Sequence, residues 1–139
     1  MIKAIKTKWK PVSCFIAGVL LVFYVGSGFG IGQQVRRCVS SARSSGQDDP
    51  VAALMAVVNS PDKTLKEKNS AVWALGQLGD PRALGLLEEL LTGQNCDHEN
   101  RLCQKELGKA VKLCRGEVNI GALVWRHGDL ALAETNRVK

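Results

Sequence analysis

An uncharged segment of 25 residues, 11–35, lies between Lys10 and Arg36 near the start of the chain. Its large apolar side chains are concentrated between Val12 and Val25. Because a helix rises about 1.5 Å per residue, roughly 20 such residues cross the ~30 Å hydrocarbon layer of a bilayer. The sequence therefore predicts a basic N-terminus over 1–10 and a single transmembrane helix, a signal anchor, over 11–35.

A cleaved signal peptide is the competing interpretation of the same segment. The basic start, the apolar segment and the small residues near Ser27 and Gly30 all fit a secretory signal. The apolar segment is longer than the ~7–15 residues usual in such signals, which favours an uncleaved anchor. A mitochondrial inner-membrane protein is a further alternative, since mitochondrial targeting segments also lack acidic residues.

Positive charge next to the segment indicates its orientation. Four lysines precede it and three arginines, Arg36, Arg37 and Arg43, follow it. Positively charged flanks stay on the cytoplasmic side, so the excess of basic residues before the segment places the soluble domain on the exported side. The exported location holds for the anchor and for the cleaved signal alike.

The net charge of +6 comes entirely from the first part of the chain. Residues 1–37 contain six basic residues and no acid, whereas the chain from Cys38 onward contains 13 basic and 13 acidic residues. A protein that binds nucleic acid needs a clustered basic surface for the phosphates. The neutral, interspersed charges of the soluble part argue against nucleic acid as a partner.

Four glycines lie in the last part of the apolar segment and form two G-x-x-x-G pairs, Gly26 with Gly30 and Gly28 with Gly32. Such pairs let a second helix approach closely in a membrane. All four are therefore candidates for helix packing. The alternative is a frayed helix end or the tail of a signal peptide, since glycine disfavours helix by about 0.8–1 kcal/mol each.

Residues 36–48 are rich in serine and predict a flexible linker to a helical domain over 49–128, with a C-terminal tail over 129–139. Asp49-Pro50 is an N-cap and a first-turn proline, and Thr64 with Glu67 forms a capping box. Gly79 suits the left-handed residue that ends a helix, and Asp80-Pro81 starts the next one. Because no stretch alternates with a period of two, the sequence predicts an all-α fold.

The helical domain also repeats itself. The two Asp-Pro pairs are 31 residues apart, and an apolar pattern recurs 36 residues on. That pattern consists of Ala71, Ala74, Leu75 and Leu78, and then of Leu107, Ala110, Val111 and Cys114. Periods of this length in helix pairs predict a short α-solenoid with Ala74 where adjacent helices touch.

The segment from Ala71 to Leu84, with its sequence AVWALGQLGDPRAL, resembles the HEAT-like repeat of phycobilisome lyases, and the similarity extends over 65–92. The resemblance implies pairs of antiparallel helices whose apolar faces close against neighbouring repeats. It also implies that the protein holds a protein partner and that the matching residues are structural. The lyases of this family attach bilin chromophores with much longer arrays, and no residue here marks a bilin site.

Few residues suggest catalysis. His98 lies in a polar loop and His127 at a helix end, and neither belongs to a catalytic motif. Trp73 is expected either to fill the core between repeats or to be exposed as a partner-binding anchor. Ile120, Leu123 and Val124 belong to a short last helix, 119–127, that is expected to close the end of the stack.

Cysteines are the one feature typical of a site. An exported domain with Cys38, Cys96, Cys103 and Cys114 favours disulfides over buried thiols or a metal site that includes His98. The C-x₆-C-x₁₀-C spacing is unlike that of zinc sites. Cys103 and Cys114 lie in one predicted helix, about 16 Å apart, and cannot bridge. The predicted pairs are therefore Cys96 with Cys103 and Cys38 with Cys114.

The sequence predicts a non-enzymatic, membrane-anchored interaction module, an adaptor or accessory subunit of a larger membrane assembly. It contacts lipid through residues 11–35 and has no predicted cofactor or metal. The alternative is an enzyme or an enzyme-maturation factor, which would need a polar pocket containing a titratable group with a shifted pKa.

Overall fold

The computed structural model describes residues 3–43, 46–97 and 99–126, and this part of the chain contains helices and no strand. The predicted all-α fold is confirmed. The helices are α1 (Lys3–Arg43), α2 (Pro50–Asn59), α3 (Leu65–Leu78), a 3₁₀ turn (Pro81–Ala83) that continues into α4 (Leu84–Leu90), and α5 (Gln104–Cys114). A last helix, α6, includes residues 120–126. The predicted tail, His98 and His127 lie outside the described residues.

Helix α1 is 41 residues long and continues through most of the segment predicted as a linker. The linker prediction for 36–48 is therefore corrected: the chain is helical as far as Arg43. Val35 and Ala42 are each 2% exposed, and Val39 packs beside them. These residues recur at helical spacing, a weak apolar stripe that the surrounding serines and arginines obscure in the sequence.

The last part of α1 packs against α2 and α3, so that it forms a helical hairpin with α2. Helix α3 packs between α2 and α5, and α4 packs against α5. The same helix that is apolar and exposed near its start thus provides the first helix of a short stack of hairpins.

The internal repeat predicted from the sequence is confirmed by the packing of α3 on α5. Ala74 is fully buried, as expected for a position where helices touch. The other buried members of the two recurring patterns are Ala71, Leu75, Leu107, Ala110, Val111 and Cys114. Small and branched side chains alternate across this contact, which allows the two helices to lie close together.

The predicted helix ends are also confirmed. The Asp49 carboxylate accepts a hydrogen bond from the Ala52 N–H (3.0 Å) at the start of α2. Thr64 Oγ1 accepts from the Glu67 N–H (3.3 Å), while the Glu67 carboxylate accepts from the Thr64 N–H (2.9 Å). Gly79 ends α3 with φ +61°, a conformation that glycine adopts without strain.

Candidate interaction surface

Trp73 lies half-buried on α3, where it contacts both apolar clusters of the domain and also lines an open groove of about 520 Å³. The side chain is therefore packed in the core and also partly accessible from outside. The groove is formed by residues of α1, α3 and α5, namely Gln34, Leu65, Lys66, Asn69, Ser70, Trp73 and Glu106. We call this surface the Trp73 groove.

A second groove, of about 270 Å³, lies between α1, α2 and α3 and adjoins the first at Lys66 and Ser70. Its floor is apolar and consists of Ala42, Leu54, Val57 and Ala71. Its rim includes the cations of Arg37, Lys63 and Lys66, of which Lys63 forms an ion pair with Glu67 (3.2 Å). An apolar floor with a mainly cationic rim suits an amphipathic segment that has acidic side chains.

Among the described residues, only one of the two glycine pairs in α1 is used for helix packing within the chain. A β-carbon at Gly28 would lie 2.7 Å from Val124 Cβ, and one at Gly32 would lie 2.7 Å from Trp125 Cβ. At Gly26 and Gly30, in contrast, a β-carbon would meet no atom of the described residues within 4 Å. The partner of Gly28 and Gly32 is α6 of the same chain.

Helix α6 closes the stack with only one of the three residues predicted, together with two others. Ala122 and Trp125 are buried against Val35, whereas Ile120 and Leu123 are 62% and 53% exposed. The prediction that Ile120 and Leu123 close the stack is therefore wrong, because the glycine surface of α1 contacts the opposite side of the short helix. Val124 does pack inward, against Gly28.

The Trp125 indole N–H is buried and has no acceptor in the described part of the chain. The side chain borders a cavity of about 420 Å³ between α1, α3 and α6, and the Arg126 guanidinium lies 5.8 Å from the ring centroid. Arg126 also donates hydrogen bonds to the Gln77 carbonyl, which connects α6 to the end of α3.

All five cysteines are free thiols, so the predicted Cys38–Cys114 and Cys96–Cys103 disulfides are not formed. Cys96 and Cys103 nevertheless lie together, with 3.7 Å between their sulfur atoms. The Cys114 thiol is buried and donates to the Leu75 carbonyl (3.6 Å), while Cys38 lines the groove between α1, α2 and α3. The sequence correctly predicted that Cys96 and Cys103 lie close together, but the predicted pairing of Cys38 with Cys114 was not correct.

The environments of two thiols shift their pKa values in opposite directions. The backbone N–H of Lys105 donates to Cys96 Sγ (3.4 Å) and lowers the pKa of this thiol. Burial raises the pKa of the Cys114 thiol to about 11. Within the described ranges, no three His, Cys, Asp or Glu residues lie close enough to hold a metal ion.

Two polar side chains that the sequence did not single out fix the start of α5. Gln104 is 8% exposed, and its Oε1 accepts from the Thr92 N–H (2.8 Å) while its Nε2 donates to the Leu90 carbonyl (3.3 Å). Asn69 Oδ1 accepts from the Cys103 N–H (2.9 Å). Amides inside an otherwise polar segment have no periodic signal that would have revealed them.

Stacked helical hairpins of this kind define a helical-repeat protein. Residues 68–93 match the family model described as PBS lyase HEAT-like repeat, and the match overlaps all but the first few residues of the segment 65–92 that shows the resemblance. No curated protein matches the chain, and no solved structure matches it either. The chain therefore contains a HEAT-like repeat, a unit that generally serves protein–protein interaction or belongs to lyase-type proteins.

Proposed function

We propose that this protein is a membrane-anchored HEAT-like interaction module, a non-catalytic adaptor or accessory subunit of a larger membrane assembly. The observation that carries the proposal is that the two parts of α1 have different surroundings. Its first part exposes large apolar side chains, and its last part is built into the repeat stack. The anchor and the interaction domain are thereby joined in one helix.

The exposed part of α1 supports the anchor. Large apolar side chains from Val12 to Phe29 are exposed, among them Phe15 at 74% and Phe23 at 75%. Val12 and Phe29 are separated by about 26 Å along the helix, close to the ~30 Å hydrocarbon thickness of a bilayer. Surfaces this large and apolar on soluble proteins are normally covered by a partner or a membrane.

The Trp73 groove supports a protein partner. It combines an aromatic side chain with the cation of Lys66 and the amide of Asn69, on a rigid face made by three helices. Half-buried tryptophans are frequent energetic centres of interfaces, because much apolar area is removed from water at low entropic cost. We place this face on the exported side, as the distribution of basic residues around the span favours.

Anchoring is tested by alkaline carbonate extraction of membranes and by the intact mass of the mature protein. We expect the parent protein to remain in the pellet at its full-length mass. Replacing Val22 by Lys should lower the membrane-bound fraction, since a lysine at mid-span costs about 2.5–3.5 kcal/mol. A mature protein that lacks its first residues and is extracted by carbonate contradicts the anchor and supports a cleaved signal.

Partner binding is tested by cross-linking in native membranes followed by mass spectrometry. We expect a defined protein to be cross-linked to the parent and to be lost from Trp73→Ala and Lys66→Glu. Glu89→Lys, an exposed change on α4, is the matched control and should retain the partner. Unaltered cross-linking of a Trp73→Ala protein that folds, as judged by circular dichroism, would place the partner elsewhere.

A further inference from the structure

The start of α6 lies directly beside the apolar part of α1. Tyr24 Oη donates to the Ile120 carbonyl (2.7 Å), and the Ile31 side chain approaches the α-carbon region of Gly121, where a β-carbon would lie 3.3 Å away. Together with the contacts of Gly28 and Gly32, these place α6 parallel to α1 from Tyr24 to Gly32. The first turn of α6 is thus the part of this helix that lies nearest to the exposed apolar part of α1.

This alignment of α6 beside α1 does not fit a bilayer in which only α1 is surrounded by lipid. If the hydrocarbon layer ended below Ile120, the exposed apolar part of α1 from Val12 to Tyr24 would span only about 18 Å. The layer is roughly 30 Å thick. Extending the span to Phe29, the last exposed large apolar residue of α1, removes most of this mismatch, but residues 24–29 run alongside the first turn of α6.

The surface of that turn is suited to lipid. Val118, Ile120 and Leu123 are 79%, 62% and 53% exposed, and no charged residue occurs between Val118 and Trp125. A single exposed aliphatic side chain is ordinary on a soluble domain, whereas these three form a cluster next to the exposed apolar surface of α1.

Several polar groups at this turn are paired within the protein. Asn119 Oδ1 accepts from the Ala122 N–H (3.2 Å), and Asn119 Nδ2 donates to Gln77 Oε1 (2.9 Å). The Ile120 carbonyl is paired with Tyr24. Internal pairing is what a backbone segment needs in order to enter a region without water. The charged side chain of Glu117 limits the depth to the boundary between headgroups and acyl chains.

We propose that the segment 118–123 is inserted into the bilayer beside α1, so that its exposed aliphatic side chains contact lipid of the same leaflet. The membrane-contacting surface then consists of α1 and the first turn of α6 together. This inference rests on the proposed membrane anchor, because without a bilayer around α1 the register has no such consequence.

Photo-cross-linking to lipid tests the insertion. The full-length protein is reconstituted in phosphatidylcholine vesicles with p-benzoylphenylalanine at position 120, at position 23 in the span, or at position 89 on exposed α4. Lipid adducts are measured by intact mass. We expect adducts at positions 23 and 120, with a yield at 120 at least about tenfold above that at 89, since burial of a large apolar side chain such as the aromatic probe favours lipid by about that factor or more.

The outcomes separate the two proposals. One possible result is that adducts form at position 23, while the yield at position 120 is no higher than the yield at position 89. This result would overturn the insertion and leave the anchor intact. The absence of adducts at position 23 would overturn the anchor and the insertion with it. Leu123→Asn should lower the yield at position 120 and leave the yield at position 23 unchanged, and this result would add support.

Discussion

Gly76 of α3 lies against Ala110 of α5 so closely that a β-carbon at position 76 would lie 2.8 Å from the Ala110 α-carbon. The atom it would meet belongs to the backbone, which cannot turn away as a flexible side chain can. The two equivalent helices of neighbouring repeats are therefore held at a distance that only glycine at this position allows.

Gly76→Ala should accordingly lower the stability of the domain. We expect a loss of about 1–3 kcal/mol, because α3 and α5 have to separate to admit the methyl group. Gly108→Ala is the matched control on α5, where a β-carbon meets no atom within 4 Å, and it should stabilise its helix by up to about 1 kcal/mol. Urea unfolding in detergent measures both, and equal effects of the two changes would contradict the close approach.

Arg82 connects the two Asp-Pro helix starts. Its guanidinium donates to Asp49 (3.0 Å) and to Asp80 (2.8 Å), and it lowers the pKa of both carboxyls. The largest cause of the lowered pKa of Asp80 is the hydrogen bond from the Arg82 side chain, whereas the largest cause of the lowered pKa of Asp49 is the hydrogen bond from the Ala52 N–H. Arg82→Gln should therefore raise the pKa of Asp80 more than that of Asp49, as carboxyl NMR titration would show.

The same contacts give the stability a definite pH dependence. Because both folded-state pKa values lie below the unfolded value of about 3.9, the contribution is fully present above about pH 4. It is lost as the pH falls through the folded-state values. The stability difference between parent and Arg82→Gln should thus be present at pH 7 and vanish in strong acid. A difference that persists in strong acid would mean that Arg82 acts through packing instead.

The two glycine pairs of α1 should respond differently to a larger side chain. Gly32→Val should displace α6, because the new side chain would occupy the space of Trp125, whereas Gly30→Val should leave α6 in place. Tryptophan fluorescence and limited proteolysis near position 126 report the displacement. If Gly30→Val has the larger effect, the register between α1 and α6 is wrong.

The thiols should differ in reactivity. Cys96 is half-buried with a lowered pKa, whereas Cys114 is buried with its pKa raised to about 11. At pH 7.5 to 8 (about the range in which ordinary thiols begin to ionise) iodoacetamide should alkylate Cys96 well before Cys114 in the folded protein. Peptide mapping of time points measures both rates, and guanidinium should remove the difference. Equal rates without denaturant would contradict the described environments.

The helices of the repeat were predictable because their signals are local. Asp49, Thr64 with Glu67, and Gly79 each end or begin a helix through the adjacent backbone, so the sequence around them is sufficient. The apolar spacing of Ala74 and its neighbours likewise indicates the buried face without knowledge of what covers it.

Contacts between distant segments were not predictable in this way. Val35 and Ala42 are buried because α2 and α3 pack against the continuation of α1, and the serine-rich composition around them favours a linker. The exposed side of α6 depends on which glycine pair it contacts, and two pairs offset by two residues are equivalent in the sequence. The pairing of Cys38 with Cys114 failed for the same reason, since it relied on the position of a segment that is helical.

In the proposed anchored adaptor, the continuity of α1 determines how the domain can meet its partners. A flexible linker over 36–48 would have a root-mean-square length of about 20 Å, and the repeats could move over this distance relative to the membrane. If the first part of α1 is the proposed anchor, a single helix that passes from the bilayer into the core allows no such movement. In the proposed orientation the Trp73 groove lies at a fixed height above the membrane and faces a fixed direction around the span. A partner therefore reaches it only with a surface that lies at the same height. On this proposal, the length of one helix sets the height at which the groove can meet neighbouring proteins in the same membrane.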